Sequence, residues 1–408
     1  MEKNREKYQE HFLLDENTVI DYVQETFHYF SDEAKLQAKE IGDGNINYVF
    51  RIWDENTGKS LVVKQADKRL KSSGRPLSLY RNKIEAEILR IESLYAPKQV
   101  PVIYHYDEKM YALAMEDISA YHNLRKELIQ GVIYPNFAQQ ISDFMVHVLI
   151  STTDVLMDRH EKKEHVKHFI NIELCDITED LVFTEPYNDY KKRNILTKGN
   201  ERFVDKVLYE DQELQTEVAK LRDSFMNHAQ ALLHGDLHSG SIFINEEGIK
   251  VIDPEFSFYG PIGYDVGNVI GNLFLCWASK LYSYNNDCDF LMWIEKTIID
   301  IFDQFKEKAT KKLIEEANCN LYTDAFIASY VQQMMSDAIG MAGTEMIRRV
   351  VGDTKVQEIQ ELAEGKEKIE IERILILIAV NFIKNRERYT CGEMLTEEFI
   401  RMKESVIV

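Results

Sequence analysis

Three carboxylates in the middle of the chain have a spacing that could support group-transfer chemistry. Asp236 lies in the motif His-Gly-Asp-Leu-His, and Asp253 and Glu255 flank Pro254. Between these acids, two short apolar runs separated by Glu246-Glu-Gly248 predict a strand, a tight turn and a second strand. The predicted hairpin brings both acidic groups to the same end. One acid is then free to handle a proton while the other two hold a cation, as phosphoryl transfer from ATP requires.

A glycine-containing turn nearer the N-terminus could hold the phosphates of a nucleotide. Gly42 and Gly44 lie between two strand-like runs, and the next strand-like run ends at Lys64. Glycine lets backbone N–H groups approach phosphates closely because it has no side chain. A hairpin loop followed by a strand lysine matches the phosphate cover of kinases rather than a P-loop. Asn47 stands where the third glycine of that pattern would be.

A lysine in this role needs a carboxylate to hold it. The next predicted helix, residues 79–94, offers Glu85 and Glu87, and apolar residues at helical spacing mark its packing side. The residues alone leave both acids open as the partner of Lys64. The other acid would then be an ordinary solvated residue of the helix.

Read at full length, the two acidic motifs resemble those of one group of enzymes. His-Gly-Asp-Leu-His-Ser-Gly-Ser-Ile at 234–242 and Asp-Pro-Glu-Phe-Ser-Phe-Tyr-Gly-Pro at 253–261 are similar to the aminoglycoside phosphotransferase and choline kinase group, and to methylthioribose kinases in particular. That family has Asp-x-Glu where protein kinases have Asp-Phe-Gly. The resemblance implies an ATP- and Mg²⁺-dependent kinase that phosphorylates the 1-hydroxyl of 5-methylthio-D-ribose, giving 5-methylthioribose 1-phosphate in methionine salvage. It also implies a homodimer.

The resemblance further implies which residues would act on the acceptor. Asp236 would position and deprotonate the acceptor hydroxyl, and the arginine pair Arg348 and Arg349 would face the sugar and the transferred phosphate. Asp265 would brace the catalytic loop. From its position alone, Asp265 could instead be the N-cap of a helix predicted over 266–276.

A second set of residues is implied to hold the nucleotide and its metal. Asp253 and Glu255 would bind Mg²⁺, the family pattern selects Glu85 over Glu87, and the backbone of 116–118 would read the adenine edge. The full set is Gly42, Gly44, Asn47, Lys64, Glu85, Glu116, Asp117, Ile118, Asp253, Pro254 and Glu255.

The order of elements, together with the resemblance, predicts an α+β, two-lobed protein-kinase-like fold. A small antiparallel sheet occupies residues 1–117, with an N-terminal helix predicted over 10–30, the glycine loop and the phosphate-binding lysine. The mainly helical remainder, residues 118–408, carries the catalytic loop, the Asp-x-Glu motif and the substrate site.

Composition narrows the choice of partners. The formal net charge is -20, which argues against nucleic acid, where a basic face is expected, and against attraction to an anionic membrane. Five scattered cysteines and a polar N-terminus predict reduced thiols in a cytoplasmic protein. The longest apolar run, 374–380, is too short to span a bilayer and is predicted to be a buried helix.

Two other functions fit parts of the pattern. A related kinase could act on an aminoglycoside, choline or homoserine, because an acidic surface also suits a cationic acceptor. A nucleotide-binding pseudokinase is suggested by Ser241, which stands where kinases place a metal-binding asparagine. The intact Asp236, Asp253 and Lys64 argue against the pseudokinase.

Overall fold

The computed structural model describes residues 7–41, 47–69, 78–282 and 288–407. The chain divides into two compact units. Unit 1 comprises Met1–Tyr121 together with Lys250–Phe256, and unit 2 comprises His122–Ile249 and Ser257–Val408. A sheet in the first unit and mainly helices in the second confirm the predicted α+β class.

Unit 1 is built on a five-stranded antiparallel sheet of order β1-β2-β3-β5-β4. Its elements are α1 (Thr18–Thr26), β1 (Leu36–Glu40), β2 (Asn47–Asp54), β3 (Ser60–Ala66), α2 (Tyr80–Tyr95), β4 (Ile103–Asp107) and β5 (Ala112–Glu116). Apolar side chains of the central strands, among them Phe50, Ile52, Leu61 and Val63, are buried in one hydrophobic cluster. The sheet thus fixes the position of Lys64, which pairs with Val49 on β2 and with Leu113 on β5.

The N-terminal helix is shorter than predicted. The apolar spacing suggested a helix over 10–30, but α1 begins at Thr18. The Asp15 carboxylate accepts hydrogen bonds from the backbone N–H groups of Asn17 and Thr18, at 2.9 and 2.8 Å, so it closes a turn just before the helix. Gln65, on β3, holds the preceding extended chain through its side chain. Tyr8 and Leu14 are therefore buried, and Phe12 is partly buried, in a segment that is not helical.

The segment Lys250–Phe256 belongs to unit 1, although the sequence boundary at residue 117 had assigned it to the larger region. The Val251 N–H donates to the Gln99 carbonyl at 2.7 Å. Lys250 Nζ donates to the Val100 carbonyl at 3.0 Å and to Glu116 Oε2 at 2.8 Å. Contacts so distant in sequence cannot be read from local periodicity, which explains the difference.

Unit 2 contains most of the helices. Its elements are β6 (His122–Asn123), α3 (Leu124–Gln130), α4 (Phe137–Leu149), α5 (Arg159–His168), α6 (Ile172–Phe183), α7 (Glu201–Val204), α8 (Gln212–Asn227), β7 (Ala231–Leu232), β8 (Ile242–Ile244), β9 (Ile249–Val251, which continues into the segment of unit 1), β10 (Tyr259–Gly260), α9 (Gly263–Ser279), α10 (Cys288–Glu316), α11 (Asp324–Val351), α12 (Gln357–Gln360), α13 (Lys366–Asn385) and α14 (Gly392–Val406). The run 374–380 lies in α13 and is largely buried, as predicted. None of the helices in the described part of the chain has an apolar stretch of the length that a membrane span requires.

Two helices of unit 2 pack with their backbones unusually close. A methyl group added to Gly267 of α9 would lie 2.6 Å from the Ala338 carbonyl oxygen and 2.7 Å from the Ala342 nitrogen, both on α11. Gly263 and Gly271 face the same helix at four-residue spacing. Glycine at these positions lets α9 and α11 approach closely and places their polar side chains within hydrogen-bonding distance.

Candidate active site

In unit 1, a buried lysine is held between two carboxylates. Lys64 Nζ donates to Glu85 Oε1 at 2.7 Å and to Asp253 Oδ1 at 2.5 Å. Lys64 and Glu85 are almost fully buried, while the Asp253 side chain is 44% exposed. Glu87 lies two residues further along α2, and its Oε1 is 4.0 Å from Lys83 Nζ. The structure therefore pairs Lys64 with Glu85.

The charges around Lys64 keep it protonated. Burial alone would lower its pKa, but the neighbouring Asp253 and Glu85 carboxylates outweigh that effect and raise the pKa above its usual value. Asp253 has a φ of 64°, in the left-handed region that few non-glycine residues adopt. A strained backbone at a charged residue is common at functional sites because the surrounding contacts must impose it.

Glu255 is held by residues from two other elements of unit 1. Arg81, in the first turn of α2, places Nε 3.5 Å from Glu255 Oε2, and Asn47 Nδ2 donates to the same oxygen at 3.4 Å. Arg81 Nη2 also donates to Asn47 Oδ1 at 3.0 Å. Arg81 was not among the residues predicted for the site. Its position one turn before Glu85, on the same face of α2, was the available signal.

The predicted adenine linker begins at the end of β5. Glu116 accepts hydrogen bonds from Lys250 and from the Val102 N–H, while Asp117 accepts one from Arg51 Nε at 2.7 Å. The Ile118 carbonyl accepts from the Tyr121 N–H in a turn. The carboxylates of Glu116 and Asp117 are thus engaged in contacts that hold this part of the backbone in place. Gly42 and Gly44 lie outside the described residues.

In unit 2, the loop that contains Asp236 is braced by Asp265. The two oxygens of this buried carboxylate accept the backbone N–H groups of His234 at 2.7 Å and Gly235 at 3.0 Å. Asp265 is not the N-cap that its position allowed, because α9 already begins at Gly263. Burial raises the pKa of Asp265 to about 7, against the two N–H bonds, which lower it.

Asp236 lies among basic side chains. Its Oδ1 is 4.0 Å from Arg349 Nη2, and its Oδ2 is 3.4 Å from His238 Nε2. Burial would raise the pKa of Asp236, but His238, Arg349 and Arg348 together lower it below its ordinary value. The Arg348 guanidinium instead lies 3.5 Å from Glu345. Asp236 is therefore a stable carboxylate, with Arg349 as its nearer arginine.

Comparison with known proteins identifies the family of the chain. Residues 37–281 match the phosphotransferase enzyme family. A methylthioribose kinase of Enterobacter sp. (strain 638) is 35% identical over 92% of this chain and 95% of its own length, and one of Bacillus cereus (strain ZK / E33L) is 38% identical over 92% and 93%. The chain belongs to the methylthioribose kinase family.

The fold of this family member is kinase-like. A crystal structure of choline kinase from Cryptosporidium parvum Iowa II covers 96% of the chain and 96% of its own length with a TM-score of 0.50, at 13% sequence identity. At that identity the likeness concerns the fold alone. It confirms the kinase-like architecture expected from the sequence.

The acidic residues of this methylthioribose kinase family member fit a magnesium ion bound together with a nucleotide. Within the described ranges, no group of three or more His, Cys, Asp or Glu side chains could hold a metal ion. Mg²⁺ needs fewer protein ligands, because it commonly binds one or two carboxylates and takes its other oxygens from phosphates and water. The Asp253 side chain is accessible. Glu255 is held through its Oε2, which contacts Asn47 and Arg81. Ser241 is buried, and its hydroxyl lies 3.4 Å from His238 Nδ1.

Proposed function

We propose that this chain transfers the γ-phosphoryl group of ATP to the 1-hydroxyl of 5-methylthioribose, giving 5-methylthioribose 1-phosphate. The observation that carries the proposal is the similarity to methylthioribose kinases over nine tenths of the chain, with Asp236 intact in its loop. The two methylthioribose kinases compared above are 35% and 38% identical to it.

In the proposed reaction, Asp236 is the residue that receives the acceptor hydroxyl. The hydroxyl oxygen forms a bond to the γ-phosphorus while the bond from that phosphorus to the ADP oxygen breaks. The hydroxyl proton passes to Asp236 and then to solvent. A carboxylate with a lowered pKa is a weak base, so it mainly orients the hydroxyl and accepts the proton late, once the new bond has made the oxygen acidic.

Arg349 would stabilise the charge that develops on the transferred group. Its guanidinium lies beside Asp236 and has a planar fork that can contact a sugar oxygen and a phosphate oxygen together. We infer that Arg349 is the arginine of the pair that acts in the reaction, while Arg348 helps to set the local charge.

The nucleotide would be held by unit 1. Lys64 would contact the α- and β-phosphates, the turn of Gly42 and Gly44 with Asn47 would cover them, and the backbone of 116–118 would contact adenine. Asp253 and Glu255, joined by Pro254, would hold Mg²⁺, which when bound neutralises phosphate charge. Lys64 can contact the phosphates without losing all contact with Asp253, because its ammonium group has three N–H donors.

A cationic acceptor is the second candidate, since related kinases named for choline share the fold. Two arginines near Asp236 would repel such an acceptor, whereas methylthioribose is neutral. The net charge of -20 favours a small-molecule partner over nucleic acid or a membrane surface. We also propose a homodimer, on the family resemblance, and a cytoplasmic location, because all five cysteines are free.

The decisive experiment measures ADP release with ATP, Mg²⁺ and a panel of acceptors. We expect methylthioribose to be the best substrate, ahead of choline, homoserine and an aminoglycoside. Asp236→Asn should abolish turnover and leave the affinity for ATP nearly unchanged. Faster turnover on a cationic acceptor would reject the proposed substrate, and a nucleotide that binds without turnover of any acceptor would favour the pseudokinase.

A further inference from the structure

Glu345 is a buried carboxylate to which neither the sequence motifs nor the proposed reaction gives a role. It lies on α11, one turn before Arg349, and is 1% exposed. Its Oε1 accepts hydrogen bonds from Arg349 Nε at 2.7 Å and from Asn272 Nδ2, on α9, at 3.1 Å. Its Oε2 lies 3.5 Å from Arg348 Nη1 and has no hydrogen-bond partner among the described residues. One carboxylate thus contacts both arginines of the pair.

Asn272 connects Glu345 to the catalytic loop. Its Oδ1 accepts from Arg125 Nη2 at 2.8 Å and from the Ser239 hydroxyl at 3.3 Å, while Arg125 Nε donates to the same hydroxyl at 3.0 Å. Its Nδ2 donates to Glu345 and to the Asn268 carbonyl. Because both ends of the amide are engaged, its orientation is determined by its neighbours.

These contacts form a closed path that includes Asp236. We call this path the positioning ring, and its members are Ser239, Asn272, Glu345, Arg349 and Asp236. Ser239 is three residues from Asp236 in the same loop, so the path returns to its starting point. Every link lies within unit 2. The ring ties the distance between Asp236 and Arg349 to the packing of α9 against α11.

We propose that Glu345, supported by Asn272, is a positioning residue that fixes the Arg349 guanidinium for its contact with Asp236 and the transferred phosphoryl group. Glu345 engages Arg349 through Nε, so Nη2 is left facing Asp236. A free arginine side chain has several rotatable bonds, and holding it in one pose before the reaction removes an ordering cost at the transition state. The arginines lower the pKa of Glu345 against the effect of burial, so it is ionised beside them.

The inference rests on the proposed function, since it assigns Glu345 a task in that reaction. It predicts that Glu345→Gln, which keeps the shape but removes the charge, lowers kcat by about ten-fold or more with little change in KM for ATP. A residue that only supports the fold would lower the amount of active enzyme instead. Measuring kcat relative to the amount of folded protein separates these two effects.

The test is a double-mutant cycle of Glu345→Gln with Arg349→Lys. If Glu345 acts through Arg349, it should change kcat by less than about three-fold once Arg349 is already lysine. Glu372→Gln is the matched control, because Glu372 is also a buried carboxylate of unit 2 and accepts hydrogen bonds from Thr197 at 2.7 Å and Asn200 at 2.8 Å. Its effect on kcat should be the same in both backgrounds.

Two outcomes overturn the proposal: full activity of folded Glu345→Gln, or an equal loss in both backgrounds. If Glu345→Gln does not fold, the same cycle is run with Asn272→Ser, which removes the amide donor and keeps the Glu345 charge. Equal losses there also overturn it. The cycle uses whichever acceptor the parent enzyme phosphorylates fastest. A wrong acceptor therefore defeats the proposed function, whereas additive losses defeat only the role of Glu345.

Discussion

Arg348 and Arg349 are adjacent in sequence and both contact Glu345, yet only Arg349 reaches Asp236. The sequence could not choose between them because the phase of the helix decides which one reaches the catalytic loop. Arg349 lies 4.0 Å from Asp236 as well as 2.7 Å from Glu345, while the ion pair of Arg348 is with Glu345 at 3.5 Å. The choice depends on tertiary packing, which a pair of arginines in an apolar helix does not reveal.

We expect Arg349→Lys to lower turnover on methylthioribose by about ten-fold or more, the scale expected when one transition-state charge contact is lost. Lysine keeps the charge but lacks the planar fork and the Nε donor that Glu345 accepts. Arg348→Lys is the matched comparison and should have the smaller effect. Steady-state kcat values for both variants check the assignment, and a larger loss in Arg348→Lys would reverse it.

Asp265 should make stability and activity respond to pH in opposite directions. Its folded-state pKa of about 7 lies above the ordinary value, so the folded protein binds this proton more tightly than the unfolded chain does. Its contribution to stability is complete below about pH 4 and is lost as pH rises through about 7, for a total of up to about 4 kcal/mol at 1.36 kcal/mol for each pKa unit. Activity should instead rise, because the ionised carboxylate accepts both loop N–H groups.

Urea unfolding of the parent and of Asp265→Asn between pH 5 and 8 tests this. The difference in free energy of unfolding, parent minus variant, should fall as pH increases, and kcat of the variant should not show the rise near pH 7. Other titrating groups cancel in the difference. Parallel stability curves would show that Asp265 does not titrate in this range.

At the scale of elements, the spacing of α9 and α11 is set by glycine. Gly267→Ala would place a methyl group 2.6 Å from the Ala338 carbonyl oxygen, and neither backbone can give way locally. We expect a loss of about 1–3 kcal/mol in the free energy of unfolding from overpacking, reduced by the better helix propensity of alanine. Turnover should fall as well, since the Asn272–Glu345 hydrogen bond spans these helices.

Thermal unfolding and kcat of Gly267→Ala check both effects. Gly248→Ala is the control, because the nearest atom to its added methyl group is 3.9 Å away and lies at the end of the Gln140 side chain. It should change little. Unaltered turnover in Gly267→Ala would mean that the hydrogen bonds between the helices tolerate a change in spacing.

Local patterns predicted the elements well where a side chain's surroundings are set by its near neighbours. The strand that carries Lys64 follows from a short apolar run, and the helix that carries Glu85 follows from helical spacing. Position alone allowed Asp265 to cap its own helix, and only the family resemblance pointed to its contact with the catalytic loop, because the N–H groups of a loop some thirty residues earlier leave no local trace. Asn272 and Glu345 were missed for the same reason, since each resembles an ordinary polar residue of a helix.

At the scale of the molecule, unit 1 is assembled from two separate parts of the chain. Lys64 and Arg81 take carboxylate partners from Lys250–Phe256, far from the rest of the unit in sequence. A fragment of residues 1–121 would therefore leave buried cations without these partners. Arg81 and Glu255 are both buried, and breaking a buried ion pair typically costs about 3–5 kcal/mol.

We expect the 1–121 fragment to be unfolded or much less stable than the same fragment with residues 250–256 attached through a flexible linker. Circular dichroism and urea unfolding of the two fragments measure the difference. A variant of the linked fragment with Asp253→Asn should lose part of the gain. Equal stability of both fragments would show that the carboxylates of the segment do not support this unit.

The glycines of α9 also bear on how such an enzyme could change its acceptor during evolution. A larger acceptor would require more room between Asp236 and Arg349. Arg349 lies on α11, and Asp265 of α9 holds the loop that carries Asp236, so this room depends on the spacing of two helices that already meet backbone to backbone at these glycines. Substitutions of these glycines would be removed by selection, because any other residue would clash with the backbone of α11. New acceptors would have to be accommodated by the loops around the site, and sequence variation among descendants should be concentrated there.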